Sequence, residues 1–343
     1  MAAARVSEDR AGATLPIELV RSATAFAIRH GWDVNGILHQ AGIPPMLLAE
    51  GRARVTEEQG TRIVRALWRL TDDEAFGIGT HPLPRGSFRL LLYGLTGAPD
   101  LGAALERAQG FAAAIPALPT LELDVMGDLA RVSWDTFSGA DDPDHLLAYT
   151  SLAVVHRIMA WAIARPVPLH SVELPFHAPV STEMPLLVFG APQVYEASRP
   201  ALVFDAGLLR APLMRDEKEL DEFIARSPAG LLARVEDGAG TSDQVRRLVE
   251  QGLRGSTHPD GDEIARRLAI SPQTLRRKLA AEGTSLREIR ETVLRDAAVT
   301  ALVDGRESLS EISHRLGFSE PSAFTRAFRR WTGSAPSAYR EPR

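Results

Sequence analysis

Hydrophobic and polar positions follow two rhythms along this chain. Over 15–30, 34–41 and 57–70 apolar residues recur every three to four positions, which predicts amphipathic helices. Gly31 and Gly42 act as stops, and Ile63, Val64, Leu67 and Trp68 face inward from the third helix. The helical rhythm continues over 87–96 and 101–114, on either side of Gly97-Ala98-Pro99-Asp100. At Pro116 it changes. The runs 120–125 and 129–134 alternate with period two around Gly127-Asp128, which predicts a hairpin half-buried against helices. A long helix over 144–164 follows. Strands over 171–176, 193–195 and 201–204, a helical turn over 183–189 and a closing helix over 215–225 complete an α+β domain.

Beyond 225 the chain is helical again. The stretch 226–240 has the Gly, Pro and charge content of a linker, and a helix capped by Thr241 or Ser242 is expected to reach residue 253. After it one pattern is written twice. Glu263-Ile264-Ala265-Arg266-Arg267-Leu268-Ala269-Ile270-Ser271 matches Glu311-Ile312-Ser313-His314-Arg315-Leu316-Gly317-Phe318-Ser319 at a spacing of 48 positions. With small insertions the match extends from Leu275, Leu279, Gly283 and Ile289-Arg290 to Phe324, Phe328, Gly333 and Tyr339-Arg340. Each copy reads as a short helix, a tight turn and a second helix, with Ser271 and Ser319 as the expected N-caps and Gly317 where positive φ is wanted. Between the copies Ser285 and Glu288 read as a capping box that opens a helix to 303, with Leu286, Ile289, Val293 and Ala297 on one stripe. Such a rod is roughly 28 Å long. It holds two recognition helices at nearly the spacing of successive major grooves, about 34 Å, with the shortfall met by bending the DNA or binding off-centre.

The overall charge of −5 runs against nucleic-acid binding until the chain is divided. Residues 241–343 hold 18 Lys+Arg and 14 Asp+Glu, whereas 1–240 hold 21 and 30, so the second part is basic and the first acidic. The chain has no cysteine, which excludes disulfides, thiolate metal sites and cysteine nucleophiles. His170, His177, the run Asp141-Asp142-Pro143-Asp144-His145 and Gly77-Ile78-Gly79 come nearest to chemistry. None has the spacing of HExxH, a phosphate-cradling loop, GxGxxG after a strand, or a GxSxG elbow, and 141–145 reads as a loop and helix cap. An enzyme is not expected, nor a cofactor or metal. No apolar run approaches a membrane span, and the start lacks a signal-peptide core, so a cytoplasmic, nucleoid-associated protein is expected.

The second copy, from Ser310 to Arg340, resembles the signature of the AraC/XylS family of bacterial transcription regulators, and the first copy from Ile270 is similar to the matching part. Ala269 departs from it, since many members have glycine there. In the first part, Asp73 to Gly77, Ala98 to Arg107, Arg157 to Trp161, Phe189 to Pro192 and Phe204 to Leu213 resemble the arabinose-binding-like effector domain of ornithine-utilisation and VirS-like regulators. The resemblance implies an α+β N-terminal effector domain followed by an all-α DNA-binding domain, with two helix-turn-helix motifs joined by a long helix. We assign 1–14 to a frayed N-terminus, 15–225 to the effector-sensing domain, 226–240 to the linker and 241–343 to the DNA-binding domain.

Helical phase selects the side chains for DNA. With Leu275 and Leu279 inward, Gln273, Thr274, Arg276, Arg277 and Lys278 face out; with Phe324, Phe328 and Trp331 buried as packing, Ser322, Thr325, Arg326, Arg329 and Arg330 face out. Gln273, Arg277, Thr325 and Arg326 are expected at base edges, and Arg329 and Arg330 mainly at phosphates. Effector-binding candidates are Trp134, His156 and Trp161, aromatic walls with one polar group, a combination that a packed core also produces. The partners expected are promoter double-stranded DNA, RNA polymerase and a small-molecule effector, with a homodimer left open. Activation ranks above repression, and control by a protein partner is the alternative to a small molecule.

Overall fold

The computed structural model describes residues 14–79, 81–135, 145–178, 189, 191–226, 240–255 and 257–340. Most of the expected turn over 183–189, residues 227–239 of the linker and the acidic run 141–144 lie outside the described residues. In chain order the elements begin β1 (Thr14–Pro16), α1 (Ile17–Arg29), α2 (Val34–Ala41), a 3-10 turn Pro45–Ala49, β2 (Arg54–Thr56) and α3 (Glu57–Thr71). Then come α4 (Ser87–Leu95), α5 (Leu101–Gln109), α6 (Phe111–Ala114), β3 (Leu121–Met126), β4 (Leu129–Trp134) and α7 (Leu146–Ala162). Next are β5 (Leu169–Glu173), β6 (Gln193–Val194), β7 (Ala201–Asp205), a 3-10 turn Ala206–Arg210 and α8 (Glu217–Arg226). The last part holds α9 (Thr241–Arg254), α10 (Gly261–Arg267), α11 (Pro272–Ala281), α12 (Leu286–Asp304), α13 (Leu309–Arg315), α14 (Pro321–Thr332) and a 3-10 turn Pro336–Tyr339. Two of the expected elements differ. Leu15 and Pro16 are strand, so α1 starts at Ile17, and the helix expected over 101–114 breaks at Gly110.

The chain forms two compact units. One contains residues 18–37 and the described residues from 60 to 226. Its sheet runs β3-β4-β7-β5-β6, antiparallel except for the β5–β6 pair. The hairpin is in the expected register, Leu121 opposite Trp134 and Met126 opposite Leu129, and Gly127 takes φ +62 in the two-residue turn. Residues Ala201 to Phe204 of β7 are all buried because this strand is central, with neighbours on both edges and α7 packed against it. Ala130, Val132, Trp134, Leu152, Met159, Val172, Leu202 and Phe204 lie in the core cluster between sheet and helices.

The other unit contains residues 14–17, 38–59 and 240–340. The assignment of 15–225 to one domain is therefore not how the contacts divide, and Thr14 is no frayed residue. β1 and β2 pair antiparallel, Leu15 opposite Val55, and both pack against α12. Their polar atoms explain the packing. Arg54 Nε donates to Thr14 Oγ1 at 2.5 Å and Nη2 to the Thr14 carbonyl at 2.5 Å, while Thr14 Oγ1 donates to Asp296 Oδ1 at 2.6 Å. Arg54 and Asp296 are buried, 7% and 9% exposed, so each needs the other in place of water. The Arg54 backbone N–H donates to Tyr339 Oη at 3.1 Å, which gives the terminal tyrosine of the repeat a defined task. Two three-residue strands are too short for any periodicity to reveal, and their partners lie hundreds of positions away.

Candidate nucleic-acid interface

The doubling seen in the sequence is repeated bond for bond in the backbone. In the first copy Leu268 N–H donates to Ile264 O, Ala269 N–H to Arg266 O and Ile270 N–H to Ala265 O; 48 positions on, Leu316 donates to Ile312, Gly317 to His314 and Phe318 to Ser313. All six bonds are 3.0 to 3.1 Å long. The first helices are capped alike, Asp260 accepting from Glu263 N–H and Ser308 from Glu311 N–H. Both turns pass through positive φ, +55 at Ala269 and +82 at Gly317. Alanine pays there for its Cβ what glycine does not. Gly317 also allows a close approach: a Cβ would stand 2.6 Å from the His258 ring.

Both second helices start with proline at the first helical position, where a missing N–H costs nothing. Ser271 caps α11 as expected, accepting from Thr274 N–H at 3.0 Å. Ser319 does not cap α14. The second turn is one residue longer, so the cap position falls on Glu320, which makes no side-chain cap bond. Its carboxylate instead accepts from the Ser322 hydroxyl and lies 3.5 Å from Arg326, contacts that hold it below the usual carboxylate range, the hydroxyl contributing most. Two further caps differ from expectation. The complete capping box is at Ser308 and Glu311; at Ser285 the serine caps Glu288 N–H, but the Glu288 carboxylate takes the Ser285 hydroxyl. Helix α9 starts after Gly240, and Glu282 of the α11 end caps it, accepting from the N–H groups of Thr241 and Ser242 at 2.8 Å each. Burial works against the charge of Glu282, and those bonds outweigh it, so its carboxyl lies below the ordinary value.

Helical phase places the selected side chains where it should. Leu275 and Leu279 are buried under α11, and Phe324, Phe328 and Trp331 under α14, where Phe328 meets Tyr339 edge-on at 5.1 Å. Gln273, Arg276, Arg277 and Lys278 are exposed and Thr274 is half-buried; Ser322, Arg326, Arg329 and Arg330 are exposed and Thr325 is half-buried. The two faces differ in charge compensation. Among the described residues no carboxylate pairs with Arg276, Arg277 or Lys278, and Arg276 only donates to the Pro272 carbonyl. On α14, Glu320 holds Arg326, and Glu291 of the rod holds Arg330 at 3.1 Å, leaving Arg329. Arg52 donates to the Arg330 carbonyl at 3.1 Å, a contact from the N-terminal segment that helical phase could not supply. An acid before Pro321 was a readable signal for Glu320, because the first turn of a helix attracts negative charge. The joining helix α12 has 19 residues, buries Ile289, Val293 and Ala297, and ends at Gly305 with φ +69. Two helices with free donor side chains, held by one rigid rod, can form hydrogen bonds to base edges and phosphates.

In the other unit the candidate effector residues are not brought together in one site. Trp134 belongs to the sheet core. His156 is 2% exposed and its Nε2 donates to the Val167 carbonyl at 2.7 Å; burial pushes its pKa down to about 4, so the ring is neutral. Trp161 borders a cavity formed by α4, α5, α7 and β3, whose lining does not include Trp134 or His156. No helix among the described residues is long and apolar enough to cross a membrane.

Two profiles of known families match the chain. The profile of the arabinose-binding domain of the AraC transcription regulator, N-terminal, matches residues 31–213, and that of a helix-turn-helix domain matches 264–342. The chain is similar to the ornithine utilization regulator of Pseudomonas aeruginosa, 24% identical over 331 residues that cover 95% of this chain and 96% of the relative. It is 42% identical over 96 residues to the regulator VirS of Mycobacterium tuberculosis, covering 28% of this chain and 27% of VirS. It is 37% identical over 96 residues to the urease operon transcriptional activator of Escherichia coli, covering 28% and 32%. With one profile spanning more than half its length and the other its doubled helix-turn-helix, this chain belongs to the AraC family, as a DNA-binding transcription regulator and not an enzyme.

Proposed function

We propose that this regulator activates a metabolic or stress promoter in response to a small effector held by the unit of residues 60–226. The observation that carries the DNA part is the repetition of one turn geometry at both ends of a single rod, with exposed cations on each second helix. Gln273 and Arg277 on α11, and Thr325 and Arg326 on α14, read base edges in successive major grooves. Thr274, Arg276, Lys278, Ser322, Arg329 and Arg330 hold the backbone. The free cations of α11 make the first copy the more selective reader, because Arg326 and Arg330 of α14 must first leave Glu320 and Glu291. Activation, through contact with RNA polymerase, is supported by the relative whose name is that of a urease operon activator. An effector acts by binding one arrangement of the protein better than another. A reporter driven by the target promoter tests the direction of control: expression should fall when the regulator is deleted, and a rise would make it a repressor.

A further inference from the structure

The cavity beside Trp161 has a chemistry that restricts what can enter it. It encloses about 110 Å³ and its walls include Leu95, Leu105, Leu121, Ile158, Met159 and Leu213. Its polar groups are few: the Thr96 hydroxyl, the Trp161 indole N–H and the Arg215 guanidinium. Thr96 Oγ1 donates to the Tyr93 carbonyl at 2.6 Å. Arg215 donates from Nε to the Trp161 carbonyl at 3.0 Å and from Nη1 to Glu219 at 2.7 Å, with its guanidinium carbon 5.8 Å from the Trp161 ring centre. Arg215 is thus neutralised by its own neighbour and held at the rim.

A charged or strongly polar ligand would meet mostly apolar wall and would lose its water with little compensation. An enclosed apolar cavity of comparable size, roughly 150 Å³, accommodates benzene. The Trp161 indole, stacked on Phe223 at 4.6 Å, offers a flat apolar wall that suits an aromatic ring. Resting on the effector reading of this unit, we propose that the cavity binds a neutral apolar molecule, or the apolar group of one, of the size of a single aromatic ring or a chain of about six carbons.

The test uses the full chain, titrated in turn with toluene, hexan-1-ol and hexanoate while melting temperature is followed. Toluene and hexan-1-ol should raise the melting temperature saturably, since a ligand that binds only the folded form stabilises it, and hexanoate should not. Ala104→Leu, which fills the cavity from α5, should abolish the toluene shift; Ala108→Leu serves if that variant does not fold. Three results would overturn the proposal: no saturable shift with either neutral probe, a toluene shift that survives in the folded filling variant, or a larger shift with hexanoate. DNA binding measured on the same preparation separates the two readings. A missing toluene shift with DNA binding intact removes only this site, whereas lost DNA binding removes the regulator reading itself.

Discussion

Asp296→Ala removes a buried carboxylate that anchors the N-terminal strand pair. In the intact protein Asp296 Oδ1 accepts from Thr14 Oγ1 at 2.6 Å and lies 3.6 Å from Arg54 Nε and 3.3 Å from Arg295 Nε. Arg54 is 7% exposed, so after the substitution its charge stays buried without this carboxylate, while the Thr14 oxygens remain. Breaking a buried pair from one side costs about 3 to 5 kcal/mol, because an uncompensated charge is left behind. A loss of that size is a large share of the stability of a whole domain. Urea unfolding of the full chain at neutral pH measures it, and Arg54→Leu combined with Asp296→Leu supplies the control. Removing both charges should restore much of what either single change loses, since contacting residues do not add. A loss below about 1 kcal/mol for Asp296→Ala, the range of an exposed ion pair, would refute the anchor. So would strict additivity of the two leucine substitutions.

Three other changes probe different parts of the fold. Ala269→Gly should stabilise the first turn by about 0.5 to 1 kcal/mol in the same urea assay, since relief of a Cβ at φ +55, worth about 1 to 2 kcal/mol, exceeds the added chain entropy of glycine; a net loss would show that the turn needs its methyl group. Glu320→Gln should free Arg326 and raise affinity for random-sequence DNA at low salt, with the gain shrinking as salt is added. Unchanged affinity at low salt would mean that Arg326 is not limited by its carboxylate. His156 predicts an acid-side loss. Above about pH 6.5 its ring is neutral both folded and unfolded, and as pH falls the unfolded chain takes up the proton first, down to the folded pKa of about 4. About 3 kcal/mol should be lost across that window and none through this group below it. The loss should be absent from a folded His156→Gln variant, and an identical pH profile for both proteins would contradict it.

How much was readable in advance differs by distance along the chain. The repeat, the hairpin register, the buried stripes Leu275–Leu279 and Phe324–Phe328, and the stop at Gly305 depend on local spacing and glycine conformation. The N-terminal anchor depends on Thr14, Arg54, Asp296 and Tyr339, which no periodic pattern connects. Ser319 misled because a single added residue in the second turn moves the cap position to Glu320. Trp134 lies in the core cluster and His156 is buried against the Val167 carbonyl; aromatic and polar residues close a core as readily as they line a cavity, and composition does not separate the two.

Selection of bound sequences from a random DNA library by the full chain tests the two-headed reader most directly. Two blocks of preferred bases should emerge, centred about one helical turn, roughly 10 base pairs, apart. Arg277→Ala should flatten one block and Arg326→Ala the other, each costing about 1 to 3 kcal/mol on the selected site and less on random DNA. A single block, or two blocks that both survive these substitutions, would contradict the account.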